Sequence, residues 1–139
     1  MKTRHWTRVA LVAALFAAVA AAGYGQPYTD VYVFGNSHVD VGNVSLATGG
    51  FVPPSPPYFQ GRFSNGPVLP EVAADNLALG PLAPSLAGGT DHAWGGALSL
   101  LDQGSPSVRS QVLGYLGALG GVADPEALYL LEGGGNDLS

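Results

Sequence analysis

Hydrophobic positions fall into a few short blocks separated by glycine, proline and polar residues. Val31 to Phe34 ("VYVF") is nearly continuous and β-branched or aromatic, the pattern of a strand buried on both faces, as in a parallel sheet. A long loop is expected from Gly42 to Gly66. It contains "PPSPPYFQGRFSNG", which reads as a polyproline linker or as a packed loop; Tyr58, Phe59 and Phe63 favour packing. Pro67 then stands at a first helical position, with Pro70 still in the first turn. "VLPEVAADNLAL" carries apolar residues at 68, 69, 72, 73 and 77, and Gly80 closes the predicted helix. A second helix is predicted over 107–119, with Ser105 as N-cap and Pro106 as first residue. Val108, Val112, Leu116 and Leu119 form its buried stripe, and Gly120-Gly121 ends it. Gly114, Gly117 and Gly120 recur every third residue and read as close packing of a helix face. They do not read as a phosphate loop, because no Lys follows. Asp124-Pro125-Glu126 is a turn, and "ALYLLE" from Ala127 to Glu132 is a second strand followed by a glycine loop. This alternation predicts an α/β layer with a parallel sheet, in which reactive groups gather at the carboxyl ends of the strands.

Charge adds a targeting segment and removes several functions. Lys2, Arg4 and Arg8 precede "VALVAALFAAVAAAG", the n-region and h-region of a Sec signal peptide, with an N-terminal anchor as the alternative. Ala20 and Ala22 form a small-x-small cleavage site. Past residue 22 only Arg62 and Arg109 remain against ten acidic residues, a formal charge of −8. Two cations cannot neutralise a phosphate backbone, which argues against nucleic acid and against anionic lipid as partners. The absence of cysteine excludes disulfides, thiolate catalysis and cysteine-based metal sites. His38, His92 and the scattered carboxylates lack ligand spacing, so neither metal nor cofactor is expected.

The chemistry concentrates where strands end. "VFGNSHVDVGN" places Ser37 on a turn directly after the first strand, where a hydroxyl can project over the sheet edge. Ester cleavage by serine needs a nucleophile, a base, and donors aimed at the oxyanion. The Ser37 amide, a backbone amide of Gly95-Gly96 in "WGGA" and the Asn136 side chain in "GGGND" are the candidate donors. A plain turn at Ser37 and an Asx-turn at Asn136 are the structural alternatives.

These segments resemble, in order, the blocks of the GDSL family, also called SGNH hydrolases. "VFGNSHVDVGN" is similar to the first block, typically "FGDSLSDTGN". "PPYFQGRFSNGPV" is similar to the segment that follows it in many secreted members. "GGTDHAWGGA" resembles the second block, "GTNYAFGGA", and "LYLLEGGGNDL" the third, Gly-x-Asn-Asp. The resemblance covers roughly residues 30 to 139. It implies a flavodoxin-like α/β three-layer sandwich with a parallel sheet, acting on acyl esters or lipids. It assigns the nucleophile to Ser37, the oxyanion glycine to Gly96 (with Gly95 the other frame) and the oxyanion asparagine to Asn136. Asp40, Gly42 and Asn43 match the first block and are expected to shape the loop after the nucleophile.

Three departures stand out. Asn36 replaces the usual Asp, and His38 the usual Leu. His38 is expected to point away from Ser37 and to be a poor base for it, and His92 is expected to be a structural or rim residue. The fourth block, Asp-x-x-His, which carries the family's base, is missing from the sequence. The expected organisation is a signal peptide at 1–22, a short segment at 23–29, and the N-terminal part of an SGNH domain, hence an incomplete sheet, at 30–139. The expected function is a secreted or periplasmic serine esterase or lipase, inactive in this truncated form. A non-catalytic extracellular binding domain on the same scaffold is the alternative.

Overall fold

The computed structural model describes residues 28–138; the expected signal peptide and cleavage site lie outside them. Strands β1 (Val31–Phe34) and β2 (Leu128–Leu131) form a parallel pair in the register Val31↔Leu128 to Phe34↔Leu131. On the other edge of β1 the segment 90–94 runs parallel to it. Val33 N–H donates to Thr90 O, His92 N–H to Val33 O and Trp94 N–H to Gly35 O, at 2.8–3.1 Å. β1 therefore lies between two parallel neighbours, which is why its run of apolar residues carries no alternation.

The pleat splits β1 between two cores. Val31 and Val33 join Val39, Val41, Val68, Ala74, Leu82 and Ala93 on one face. Phe34 joins Val108 and Tyr115 on the other, with Tyr32 packed against them. Helix α1 (Asn43–Ala47) lies inside the segment expected to be loop, too short for its periodicity to be legible. The proline segment is packed: Pro53 is buried, Tyr58 meets Phe63 edge-on at 6.1 Å, and Phe63 closes on Gly95.

Helix α2 (Leu69–Asn76) begins after Pro67 and stops short of Gly80. At its start Val68 N–H donates to the Glu71 carboxylate at 2.9 Å, and Arg62 grips the same carboxylate at 2.6 and 3.3 Å. Its end is a Schellman turn, with Leu79 N–H on Ala74 O and Ala78 N–H on Asp75 O. Ala78, not a glycine, takes the left-handed position at φ 51°. That costs about 1–2 kcal/mol, offset by Leu79 packing onto the buried Ala74 side of the core.

Helix α3 (Val108–Ala118) is capped by Ser107, whose hydroxyl accepts Ser110 N–H at 3.2 Å. Ser105 is not the cap: its hydroxyl donates to Gly95 O at 2.9 Å. Of the predicted stripe, Val108 is buried and Val112 and Leu116 pack against the same core, but the face is rotated toward Gln111 and Tyr115 and leaves Leu119 out. Val108, Gln111 and Tyr115 are buried, whereas Leu119 is 43% exposed. The Tyr115 ring lies 4.7 Å from Tyr32 and 5.4 Å from Phe34, and the Gln111 amide finds backbone partners in the sheet. Gly114 and Gly117 are not close-packing positions, since a Cβ on either would meet open space. Gly120, at φ 67°, and Gly121 end the helix as predicted, with Gly121 N–H on Leu116 O at 2.7 Å.

Candidate active site

The turn that carries Ser37 is built by its neighbours. Gly35 has no room for a side chain: a Cβ there would lie 2.5 Å from Val39 Cγ2 and 3.1 Å from Glu132 O. Asn36 is buried, and its Oδ1 accepts His38 N–H at 3.0 Å, an Asx-turn spanning Ser37. Asn36 O accepts Val39 N–H and Asp40 N–H at 3.2 and 3.1 Å, which closes a single turn. Ser37 is half-buried and His38 exposed at its crest. Glu132, one residue past β2, accepts Asn36 N–H at 3.3 Å and faces His38 Nδ1 at 3.6 Å.

Asp40 ties this turn to the next loop. Fully buried, it accepts the N–H groups of Gly42, Asn43 and Val44 at 2.7, 2.6 and 3.3 Å, fixing the first turn of α1. It also accepts Gly95 N–H at 3.0 Å. Asn43 works alongside it, donating to Asp91 O and Ala93 O and accepting from Ser85 Oγ and Leu86 N–H. Asp91 accepts Val41 N–H at 2.7 Å and Ala93 N–H at 2.9 Å. Burial pushes the Asp91 carboxyl up to about 7, and the charges of Asp40 and Glu71 add to that, against the two N–H donors.

The Asp40 bond separates the two glycine frames. Gly95 N–H is engaged by a carboxylate, and a Cβ on Gly95 would strike the Phe63 ring at 2.5 Å. Gly96 sits at φ 82°, with Ser105 Oγ 3.5 Å from where its Cβ would lie. Past β2, Asn136 Nδ2 donates to Ala97 O at 2.8 Å, and the Asp137 carboxylate receives Ser99 N–H and Oγ at 3.1 and 2.8 Å. Those bonds to Ser99 hold the Asp137 carboxyl below its usual range. Gly96 and Asn136 thereby line one cleft of about 540 Å³, with Leu98, Leu101, Gln103 and Asp137. Ser37 does not line that cleft. It stands on the adjoining turn, whose preceding residue Gly35 receives Trp94 N–H at 3.0 Å.

His92 lies on the α3 side of the sheet, stacked on Phe34 at 5.2 Å and 7° between planes, and burial lowers its pKa. Asp91, Gln111 and Glu132 escaped the sequence reading. Gln111 was detectable in principle, since 108, 111 and 115 share one helical face. A lone carboxylate inside the apolar second block was the corresponding signal for Asp91. Among the described residues no group of three or more His, Asp or Glu is placed to hold a metal ion, and no helix is long and apolar enough to cross a membrane.

No protein-family model matches the chain. Curated relatives do. A GDSL esterase/lipase of Arabidopsis thaliana is 33% identical over 158 aligned positions, covering 95% of this chain and 45% of the relative. A phosphatidylcholine-sterol acyltransferase of Aeromonas hydrophila is 40% identical over 60 residues, 43% of this chain and 18% of that protein. Lipase 1 of Photorhabdus luminescens is 29% identical over 121 residues, 86% of this chain and 17% of its own length. The chain thus spans less than half the length of each of these relatives. These relatives support the resemblance to the GDSL, or SGNH, family read from the four blocks.

Proposed function

We propose that this chain carries the nucleophile and oxyanion half of a serine ester hydrolase with an SGNH-type three-layer fold. The observation that supports it most is the junction of three loops at the carboxyl ends of parallel strands. Trp94 N–H bonds Gly35 O, Gly95 N–H bonds Asp40, and Asn136 Nδ2 bonds Ala97 O. In this reading Ser37 Oγ attacks the acyl carbonyl and gives its proton to a base. The oxyanion is met by the amides of Ser37 and Gly96 and by the Asn136 side chain. Collapse expels the alcohol, and water then releases the acid from the acyl-serine. Neutral donors suit a chain with so few cations, and held in place they stabilise developing charge at no cost of reorganisation. The family's base, a histidine in an Asp-x-x-His block, has no counterpart among the four matched segments. The substrates we assign are acyl esters, lipid esters included, and the signal-peptide pattern of residues 1–22 supports a location outside the cytoplasm.

Glu132 favours a second reading, a binding domain on the same scaffold. Its carboxylate lies on Asn36 N–H, beside the point where negative charge would develop. Labelling decides between the two. The whole protein should hydrolyse p-nitrophenyl acyl esters and react with a fluorophosphonate at Ser37, and Ser37→Ala should abolish both. Labelling at another serine, or none in the parent, would overturn the assignment.

A further inference from the structure

Gln111 is buried in the first turn of α3, 76 residues away in sequence from the residue it holds. Its Oε1 accepts Gly35 N–H at 2.8 Å, and its Nε2 donates to Gly35 O at 2.9 Å. The side-chain amide thus pairs with a backbone peptide as a neighbouring strand would. Gly35 also receives Trp94 N–H on the same carbonyl. The Gln111 Nε2 has a second acceptor, Pro106 O, at 3.0 Å. Pro106 follows Ser105, whose hydroxyl holds Gly95 O. One amide therefore joins the residue two before Ser37 to the segment that props the Gly95-Gly96 loop.

We propose that Gln111 is a positioning residue, setting the Ser37 turn and the Gly96 amide in register; the proposal rests on the ester-hydrolase reading above. The site has a demanding geometry, because nucleophile and donor must face one carbonyl from two separate loops. A misplacement of about 1 Å in such an arrangement can cost roughly a hundredfold in rate. Nothing else about Gln111 requires an amide. A buried face between Val108 and Tyr115 would be filled as well by leucine, and the polar groups at this position are there for Gly35 and Pro106.

Two variants of the whole protein separate positioning from mere packing. Gln111→Leu keeps the volume and removes all three hydrogen bonds. Gln111→Glu keeps the acceptor for Gly35 N–H, but its carboxylate repels the carbonyls of Gly35 and Pro106 until it is protonated. Tyr32, His92 and Tyr115 are the titratable groups lining the same groove, and they are common to parent and variant. A new carboxylate at 111 would also act on His92, so the ratio is taken in a His92→Gln background, where variant and reference differ at residue 111 alone. The measurements are circular dichroism, amide hydrogen exchange at Gly35, and the rate of fluorophosphonate labelling at Ser37 between pH 5 and 8.

In Gln111→Leu we expect a native spectrum, Gly35 exchange at least about tenfold faster, and labelling at least about tenfold slower. In Gln111→Glu the labelling rate relative to that reference should climb as pH falls. Labelling within about twofold of the parent in both variants, with Gly35 exchange accelerated, would overturn the proposal, as would a Gln111→Glu ratio flat with pH. If Gln111→Leu does not fold, the Gln111→Glu ratio decides. If the parent itself is not labelled, the hydrolase reading fails separately. The register is then read from the Ser37 and Gly96 amide shifts, which must move in Gln111→Leu for the proposal to stand and overturn it if they do not.

Discussion

The Asp40 carboxylate accepts Gly95 N–H at 3.0 Å across 55 positions of sequence while also holding the first turn of α1. Four backbone donors converge on one buried side chain. Asp40→Asn would replace one acceptor oxygen by an NH₂ group aimed at N–H donors. Leaving a buried donor unsatisfied costs about 1–3 kcal/mol, so the variant should unfold at a visibly lower denaturant midpoint. Chemical denaturation of parent and variant side by side checks this; equal midpoints would mean that the donors find other partners.

The adjacent glycines should respond differently to alanine. At Gly95 the obstacle is the Phe63 ring, so Gly95→Ala should be destabilising and partly rescued by Phe63→Leu. At Gly96 there is room, but the backbone sits at φ 82°, so the cost is conformational, about 1 kcal/mol or somewhat more. Phe63→Leu should not relieve Gly96→Ala. Thermal melts of the three single and two double variants test the distinction.

Asn136 is assigned a transition-state role. Removing one oxyanion donor typically lowers turnover by roughly a hundredfold to a thousandfold. Asn136→Ala in the whole protein should do so, with a much smaller change in the Michaelis constant. The Ala97 O bond is lost too, so circular dichroism must accompany the kinetics. A fall of less than about threefold with the fold intact would make Asn136 a loop residue only.

Asp91 should make stability pH-dependent with an unusual sign. Its carboxyl titrates at about 7 in the folded chain against an ordinary 3.8. The folded state therefore binds more protons between those values, and the contribution of this group is fully present below pH 4 and lost as pH rises through 7. Its size over that window is on the order of a few kcal/mol. His92 acts in the opposite direction: burial lowers its pKa, so it destabilises the fold as pH falls through the ordinary histidine range. Unfolding free energies of parent and Asp91→Asn, measured from pH 4 to 8, isolate the Asp91 part as a difference that declines with rising pH. A difference constant with pH would show that Asp91 titrates normally.

The sequence by itself determined what local pattern and fixed spacing can carry. β1 and β2 are legible because four-residue apolar runs bounded by turn residues admit few other structures. The end of α3 at Gly120-Gly121 is legible because glycine takes the left-handed position freely. The order of the four blocks, with Ser37 and Asn136 just past strand ends, carried the resemblance to the GDSL family. The tertiary structure decided what depends on partners far along the chain. Ser107 and not Ser105 caps α3, because Ser105 is drawn to Gly95 O. α2 ends on Ala78, because Leu79 is needed in the core. Gly95 and Gly96 are told apart only by Asp40 and Phe63. Gln111 and Asp91, polar residues that propensity assigns to the surface, are buried because each satisfies buried backbone groups, Gln111 those of Gly35 and Asp91 the N–H groups of Val41 and Ala93. The shared helical face of 108, 111 and 115 can mark Gln111 as inward, but nothing in the periodicity around either residue pairs position 111 with position 35.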